Sequence, residues 1–197
     1  MAKLKAPLMS FGASGALAKS VVYFPWKGVN AVREYKVPAN PRSGAQTAQR
    51  GHLEDAVDEW HAATYTDGDR TAWNRFAGTI AEIMSGFNAY VRTFIKEAIL
   101  GNTWERITNA RPDPILADSF RVLAEKTAGG NAPNLRWGTS KTHFPNTIVM
   151  TGAGGDVWEG APADLAANTL YYWYIDVGSS GTDYGRTGIY ATRTLAA

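Results

Sequence analysis

The hydrophobic period of this 197-residue chain changes once, near a segment with two prolines at residues 111–114, and the change limits the folds available to it. Between about residues 43 and 101, apolar side chains recur every three or four positions, as in an amphipathic helix. Beyond residue 114, short runs of β-branched and aromatic residues alternate with Gly, Asn, Asp and Pro clusters, a pattern typical of an all-β sandwich. We therefore predict an α+β protein in two parts, a helical domain at residues 43–111 and a sandwich at residues 115–197, joined by a stiff linker. The predicted strands cover residues 119–126, 134–138, 147–150, 157–158, 169–177 and 188–194.

The helical domain is predicted to be a small bundle of two or three helices. Ser43 is suited to cap the first helix, and residues 67–69 end it and cap the second. Residues 85–86 are expected to break or kink the second helix. Gly101 is a suitable C′ residue for the third. The apolar stripe of the first helix consists of Leu53, Ala56, Val57 and Trp60.

Residues 1–42 are predicted to form an extended basic arm that contains a β-hairpin. Two β-rich runs, at residues 17–26 and 29–37, flank a Lys-Gly pair at residues 27–28, which is typical of a two-residue turn in which glycine supplies positive φ. Pro38 then prevents further sheet pairing. A hairpin with nothing packed on it is marginally stable in water. We therefore expect the arm to lie on the body of its own chain or on a neighbouring subunit.

The arm and the start of the first helix carry most of the positive charge of the chain. Residues 1–50 contain eight Lys and Arg but a single acid, Glu34, whereas residues 51–100 contain four basic and eight acidic residues. This asymmetry favours a basic segment that meets an acidic surface of a protein or a nucleic acid, and a solvated surface strip is the alternative. The residues predicted to contact a partner are Lys19, Trp26, Lys27, Arg33, Lys36, Arg42 and Arg50.

Basic and aromatic residues also interleave between residues 19 and 36, as they do in proteins that stack nucleic-acid bases. Strand alternation, however, places Tyr23 and Phe24 on opposite faces of the hairpin, so that at least one of these rings is expected to be packed. Direct contact with DNA therefore remains an alternative to contact with protein.

No pattern in the sequence is typical of a catalytic, cofactor or metal site. The chain has no cysteine, which excludes disulfides and thiolate metal ligands. The glycine-rich residues 151–155 lack the Lys-Ser/Thr of a phosphate-binding loop and indicate a flexible loop between strands. His52 and His61 are nine positions apart, on opposite faces of a predicted helix, and neither belongs to a metal-binding motif. We therefore predict a protein that is not an enzyme and that binds no cofactor and no metal.

No apolar run reaches the ~18 residues that a transmembrane helix needs. The N-terminus lacks the apolar segment of a secretory signal. The absence of cysteine is consistent with synthesis in a cytoplasm. No membrane partner is expected.

Seven tryptophans and nine tyrosines are many for a chain of this length, and aromatic residues dominate both protein cores and interfaces. Trp26, Trp104 and Trp158 lie near turns or linkers and are predicted to be exposed contact residues. A carbohydrate-binding surface built from Trp158 and Tyr184 is an alternative function. Core positions are predicted for Trp60, Trp73, Trp137 and Trp173.

The segment at residues 165–177 resembles the corner before strand F, and strand F itself, of fibronectin type III domains. In that family a leucine is followed four and six residues later by Thr and Tyr, and here Leu165, Thr169 and Tyr171 match. The resemblance implies a tyrosine corner, in which the Tyr171 hydroxyl bonds back to the backbone. Ala167 departs from the family, which usually has proline there. The implied sandwich is fibronectin type III-like or Ig-like and covers about eighty residues.

The N-terminal part, from about residue 15 to residue 94, resembles a group of uncharacterised proteins of tailed bacteriophages and prophages. The resemblance implies a component of the virion. Ig-like and fibronectin-like domains are common on phage head and tail proteins, and the sandwich agrees with that association. The matching positions are Gly15, Tyr23, residues 26–28, residues 32–33, residues 38–41, Gln46, Gln49, Arg50, Trp60, Trp73 and residues 86–90.

Together, these patterns predict a structural virion protein, made in the host cytoplasm and anchored through its arm and helices. A head-associated accessory or decoration protein is the preferred role, and a neck or tail component is the alternative. The expected partners are capsid, neck or tail subunits and further copies of the chain itself.

Overall fold

The computed structural model describes residues 2–4, 15–17, 20–27, 29–37, 42–126, 131–178 and 183–197. The chain divides into two compact units, Met1–Ser43 and Gly44–Ala197, which we call the arm unit and the body. The fold is α+β, as predicted: the arm unit is a small sheet, and the body combines a helical bundle with a β-sandwich.

The arm unit is an antiparallel sheet of four short strands in the order β1-β4-β3-β2. The predicted hairpin is confirmed as β3 and β4, which close at the Trp26–Val29 pair. Lys27, in the turn, has φ +48°, the left-handed conformation of such a tight turn, whereas Gly28, predicted to supply it, lies outside the described residues. The two outer strands are not predicted from the sequence. The strands are β1 (Ala2–Leu4), β2 (Gly15–Leu17), β3 (Val21–Trp26) and β4 (Val29–Glu34).

Three helices begin the body: α1 (Gly44–Ala62), α2 (Asp67–Ala77) and α3 (Gly86–Ile99). Thr66, rather than residues 67–69, is the N-cap of α2, and Asp69 completes a capping box with it. Ser85 is the N-cap of α3 and Gly86 its first residue, so the chain forms two helices separated by residues 78–85 instead of one kinked helix. Gly101 has φ +81° after the C-cap Leu100, as its predicted C′ position requires.

Two packed sheets follow, with the strand order of an Ig-like or fibronectin type III-like sandwich. The first sheet has the order β10-β11-β7-β6, which corresponds to strands D, E, B and A of that fold. The second has the order β5-β13-β12-β8-β9, and β14 also pairs with β12, so that strands C′, C, F and G lie together. The strands are β5 (Thr103–Trp104), β6 (Ile107–Ile115), β7 (Phe120–Lys126), β8 (Asn134–Gly138), β9 (Asn146–Val149), β10 (Thr151–Gly154), β11 (Val157–Gly160), β12 (Leu170–Val177), β13 (Asp183–Arg186) and β14 (Tyr190–Arg193).

The predicted linker at residues 111–114 is wrong, because these residues lie inside β6, the first strand of the sandwich. This strand is at the edge of its sheet and pairs with β7 alone, with register shifts before Arg111 and after Pro112. Proline is tolerated at such an edge because a missing N–H there breaks no ladder. The boundary between a helical domain at residues 43–111 and a sandwich at residues 115–197 is therefore not found, and helices and sandwich form one unit.

The glycine-rich residues 151–155, predicted to be a loop, include strand β10, which pairs with β11. The predictions of β7, β8, β9, β11, β12 and β14 are confirmed to within a few residues.

Two aromatic-rich cores fill the body. In the helical core, Trp60 and Trp73 pack around the fully buried Tyr90. In the sandwich core, Trp173 stacks on Tyr190 with ring centroids 4.3 Å apart. Ala72 of α2 belongs to the sandwich core, so the second helix lies directly on the sheets.

Candidate functional site

The arm unit presents the best-exposed residues among those predicted to contact a partner. Trp26, at the end of β3, is 56% exposed, and the Lys27 ammonium lies 6.0 Å from the centroid of its ring. Arg33, in β4, is exposed, and its guanidinium carbon lies 5.3 Å from the centroid of the Phe24 ring. These distances are typical of cation–π contacts at a surface.

The register of the sheet brings these groups to one face. Val22 is paired with Arg33, Phe24 with Ala31 and Trp26 with Val29. Directly opposed residues of an antiparallel pair point to the same side of the sheet. Phe24, Trp26 and Arg33 therefore share a face, and Tyr23 lies on the other, as strand alternation predicts.

The remaining predicted contact residues lie in different places. Lys36 and Arg42 are exposed in the segments around the end of the arm unit. Arg50 is on an exposed part of α1, in the body. Lys19 lies outside the described residues.

The described side chains of the arm sheet are mostly exposed or half-buried. Among its described side chains, Ala31 is the only one that is buried, while Val37 is 73% exposed. A two-faced sheet this small is stable only when another surface covers one of its faces.

The first two turns of α1 are also open to solvent. Residues 44–50 are all exposed, and Leu53, predicted to lie on the core stripe, is 47% exposed. The second half of the helix is docked, since Ala56 is fully buried and Glu59 accepts two hydrogen bonds from the Arg106 guanidinium, of 2.5 Å and 2.7 Å. The start of α1 thus offers a helical surface that the rest of the body does not cover.

The tyrosine corner has the geometry that its sequence motif implies. The Tyr171 hydroxyl accepts a hydrogen bond of 2.9 Å from the backbone N–H of Ala166. Leu165 packs against the sandwich core, and the Thr169 hydroxyl donates to the carbonyl of Ala167 at 3.0 Å. The motif therefore fixes the corner before β12 and has a structural role.

The junction between α2 and the sandwich is organised by one buried carboxylate, that of Asp69. The side chain is 1% exposed. One carboxylate oxygen accepts from Thr66 N and Thr66 Oγ1 at 2.9 Å and 2.8 Å and from Asn109 N at 3.1 Å. The other accepts from Ala110 N at 3.4 Å and from the Tyr190 hydroxyl.

The donors of strand β6 are available to Asp69 because the strand is irregular there. Asn109 has φ +53°, and the pairing of β6 with β7 shifts between Thr108 and Arg111. Such a bulge frees backbone N–H groups from the ladder, and here two of them point at Asp69. Burial raises the pKa of the Tyr190 hydroxyl well above its usual value, and the nearby Asp69 adds to the effect, so this hydroxyl stays protonated and donates.

The sequence identified residues 67–69 as helix-capping residues but did not indicate that Asp69 also binds two strands. The only signal was the Thr-x-x-Asp spacing of a capping box. The partners at residues 109–110 and 190 are remote in sequence, and no local pattern connects them to it.

Two predictions about exposed tryptophans are wrong. Trp104 packs on Tyr90 and Phe94, with ring centroids 5.4 Å and 5.3 Å away. Trp158 packs against the sandwich core. Trp158 also lies in β11 of one sheet and Tyr184 in β13 of the other, so the structure does not bring the proposed sugar-binding pair to one sheet face.

Within the described part of the chain, no three His, Asp or Glu side chains come together as metal ligands. None of the described helices has the length and hydrophobicity to cross a membrane.

No protein-family model and no curated protein matches the chain. Several solved structures resemble it over less than half of its length. A redesigned β-sandwich protein is 15% identical, with a TM-score of 0.38, and the match covers 46% of this chain and 90% of that one. The sensor domain of the anti-sigma factor RsgI4 of Pseudobacteroides cellulosolvens is 17% identical over 47% of this chain and 96% of that one, with a TM-score of 0.33. Domains d3–d4 of rat CD45 are 12% identical over 47% of this chain and 50% of that one, with a TM-score of 0.37.

Proposed function

We propose that this protein is a non-enzymatic structural component of a bacteriophage virion, most simply a head-associated accessory protein, anchored through its arm unit. The observation that carries the proposal is the arm sheet, in which Ala31 is the only described side chain that is buried. A small sheet whose described side chains bury so little apolar surface is marginally stable by itself, so a second surface is expected to cover it. The resemblance of residues 15–94 to virion proteins of tailed phages supports a particle subunit as that surface.

The exposed arm residues combine apolar area with positive charge, which suits contact with an acidic protein surface. Trp26 supplies apolar area, and aromatic side chains are enriched among the residues that dominate binding energy. Lys27, Arg33 and Lys36 add positive charge, which favours an acidic partner surface and speeds encounter with it. The open start of α1 extends the available surface into the body.

The proposal is tested by incorporation into particles of the phage that encodes the chain. Deletion of residues 1–42 is expected to leave a folded body that is missing from purified particles, as measured by quantitative mass spectrometry. Trp26→Ala and Arg33→Glu are expected to lower incorporation at least about tenfold, because each removes about 1.4 kcal/mol or more of binding free energy.

The matched control is Arg70→Glu, which reverses the charge of an exposed arginine on α2. It is expected to incorporate normally. Normal incorporation of the protein without residues 1–42 would disprove anchoring through the arm. A copy number in the hundreds indicates the head shell, and about six or twelve copies indicate the neck or tail alternative.

A second candidate function is nucleic-acid binding by the same arm face, and the shared face of Phe24, Trp26 and Arg33 favours it. It predicts an affinity for single- or double-stranded DNA that falls steeply with salt and is lost in Arg33→Glu. The absence of a gel shift at low ionic strength would exclude this candidate and leave protein assembly.

A further inference from the structure

A cleft of about 340 Å³ opens in the body between the end of α2 and the sheet that contains β12 and β13. It lies entirely within the body and shares no residue with the arm. Four apolar or aromatic side chains and four polar ones line it, and two of the polar ones are cations, Lys141 and Arg186. Small-molecule sites commonly combine apolar walls with a few polar groups in this way. The apolar and aromatic walls are formed by Phe76, Phe144, Tyr174 and Ile189.

The Arg186 guanidinium is held against two of these rings. Its central carbon lies 4.0 Å from the centroid of Phe76 and 4.5 Å from the centroid of Tyr174. Phe144 packs edge-on against Tyr174, with centroids 4.8 Å apart, so the second ring is itself supported. Contacts between a guanidinium and aromatic rings restrict its plane but leave its N–H donors available in that plane.

No carboxylate of the described residues pairs with Arg186. Asp176, its neighbour across the strands, is already bound by the Arg136 side chain, whose Nε donates to both carboxylate oxygens at 3.2 Å and 2.9 Å. The Nε atom of Arg186 is buried and has no acceptor among the described residues.

The walls of the cleft are held in place by two close backbone contacts. A Cβ atom at Gly138 would lie 2.4 Å from the carbonyl oxygen of His143, so only glycine lets the loop that carries Lys141 and Phe144 fold back on its strand. On the other side, Ile189 N donates to the Ala72 carbonyl of α2 at 3.0 Å. The cleft is thus formed before any ligand enters, which lowers the entropic cost of binding.

We propose that this cleft binds a carboxylate carried on an apolar or aromatic group. The carboxylate would accept two parallel hydrogen bonds from the Arg186 guanidinium, whose fork matches its geometry, and Lys141 would add charge at the rim. The apolar part would lie against Phe76, Phe144 and Tyr174. A free phosphate fits less well, since it has no apolar part to cover these walls.

Titration of the full-length protein with 3-phenylpropionate, followed by backbone amide NMR signals, tests the proposal. We expect saturable shifts in residues 139–145 and around Arg186, with a Kd near or below about 1 mM. The matched probe 3-phenylpropionamide, which keeps the shape but loses the charge, should bind at least about tenfold more weakly. Inorganic phosphate should give no saturable shifts in these residues.

Two variants separate recognition from folding. Arg186→Lys keeps a positive charge beside the rings but loses the fork, and it is expected to weaken binding of 3-phenylpropionate at least about tenfold. Lys141→Ala, in an exposed part of the loop, should weaken it by less than about fivefold without changing the unfolding temperature. Equal binding of the acid and the amide, tighter binding of phosphate, or unchanged binding in Arg186→Lys would each overturn the proposal.

A peptide experiment tests whether the natural ligand is the carboxylate end of a protein chain or a small molecule. A short peptide that ends in phenylalanine with a free carboxylate is compared with its C-terminally amidated form. Binding of the acid form alone shows that the cleft accepts a protein chain end, and binding of 3-phenylpropionate without either peptide shows a small-molecule site. The absence of binding by every carboxylate probe would disprove the site.

Discussion

Two regions of the molecule are stabilised in different ways. One is the junction between α2 and the sandwich, and the other is the sheet of the arm unit. At the junction, the Asp69 carboxylate is buried and accepts five hydrogen bonds from residues of α2's cap, β6 and β14. In the arm, the strands pair along their backbones, but Ala31 is the only described side chain that is buried. The junction is complete within the body, whereas the described side chains of the arm sheet bury little apolar surface.

This difference has an energetic meaning. Ordering one residue costs about 1–2 kcal/mol of backbone entropy, and burying a large apolar side chain returns about 1.5–3 kcal/mol. The body buries Trp73, Trp173, Phe120 and other large side chains completely. Among the described side chains of the arm unit only Ala31 is buried, so these strands gain less from apolar burial than the elements of the body do.

The largest effect is expected at Asp69. Asp69→Ala removes the capping box and leaves the N–H groups of Asn109 and Ala110 and the Tyr190 hydroxyl without their acceptor. We expect a loss of about 3–5 kcal/mol in the free energy of unfolding, measured by urea denaturation. Asp67→Ala, two positions earlier and exposed, is the control and should cost less than about 1 kcal/mol. Equal effects of the two changes would show that the junction does not depend on the buried carboxylate.

Gly188 tests the same junction from the side of the sandwich. A Cβ atom there would lie 2.2 Å from the carbonyl carbon of Ala72, so the backbone of residues 187–189 would have to move away from α2. Gly188→Ala is expected to destabilise the body by about 2–4 kcal/mol. Gly152→Ala, in β10, meets nothing within 4 Å and should change stability by less than about 0.5 kcal/mol. Thermal unfolding of the two variants side by side decides whether close packing here is essential.

A smaller effect of opposite sign is expected in the open part of α1. A Cβ atom at Gly51 would meet nothing within 4 Å, and the residues before it are exposed. Gly51→Ala should therefore stabilise the protein by about 0.5–1 kcal/mol through helix propensity alone. Gly86→Ala is expected to have the opposite effect and destabilise the protein, because a Cβ atom at the start of α3 would lie 2.6 Å from Asn74 N. Destabilisation by Gly51→Ala would reveal a contact made by this part of α1.

The sequence predicted those elements whose pattern is local. In β12, the alternation of Tyr171, Trp173, Ile175 and Val177 matches the buried side of the strand residue by residue. The hairpin of β3 and β4 and the C′ glycine at residue 101 were also recognisable, the latter because its position requires positive φ.

The sequence failed where tertiary context overrides the local pattern. Pro112 and Pro114 suggested a linker, but an edge strand tolerates them. The glycines of β10 suggested a loop, but pairing with β11 orders them. Of residues 67–69, expected to cap α2, only Asp69 takes part in the capping box of Thr66. The hydrogen bonds of Asp69 to β6 and β14 and the contact of Arg186 with Phe76 join residues that are remote in sequence.

The smallest effect is expected when the arm unit is removed. Both hydrophobic cores consist of residues of the body, and the arm is a separate compact unit. Deletion of residues 1–42 should therefore shift the unfolding midpoint of the body by less than about 2 °C, which corresponds to less than about 1 kcal/mol for a domain of this size. Differential scanning calorimetry of the full-length and shortened proteins measures the shift. A large decrease would mean that the body itself is the surface that the arm requires, and the anchoring proposal would then have to rest on α1 alone.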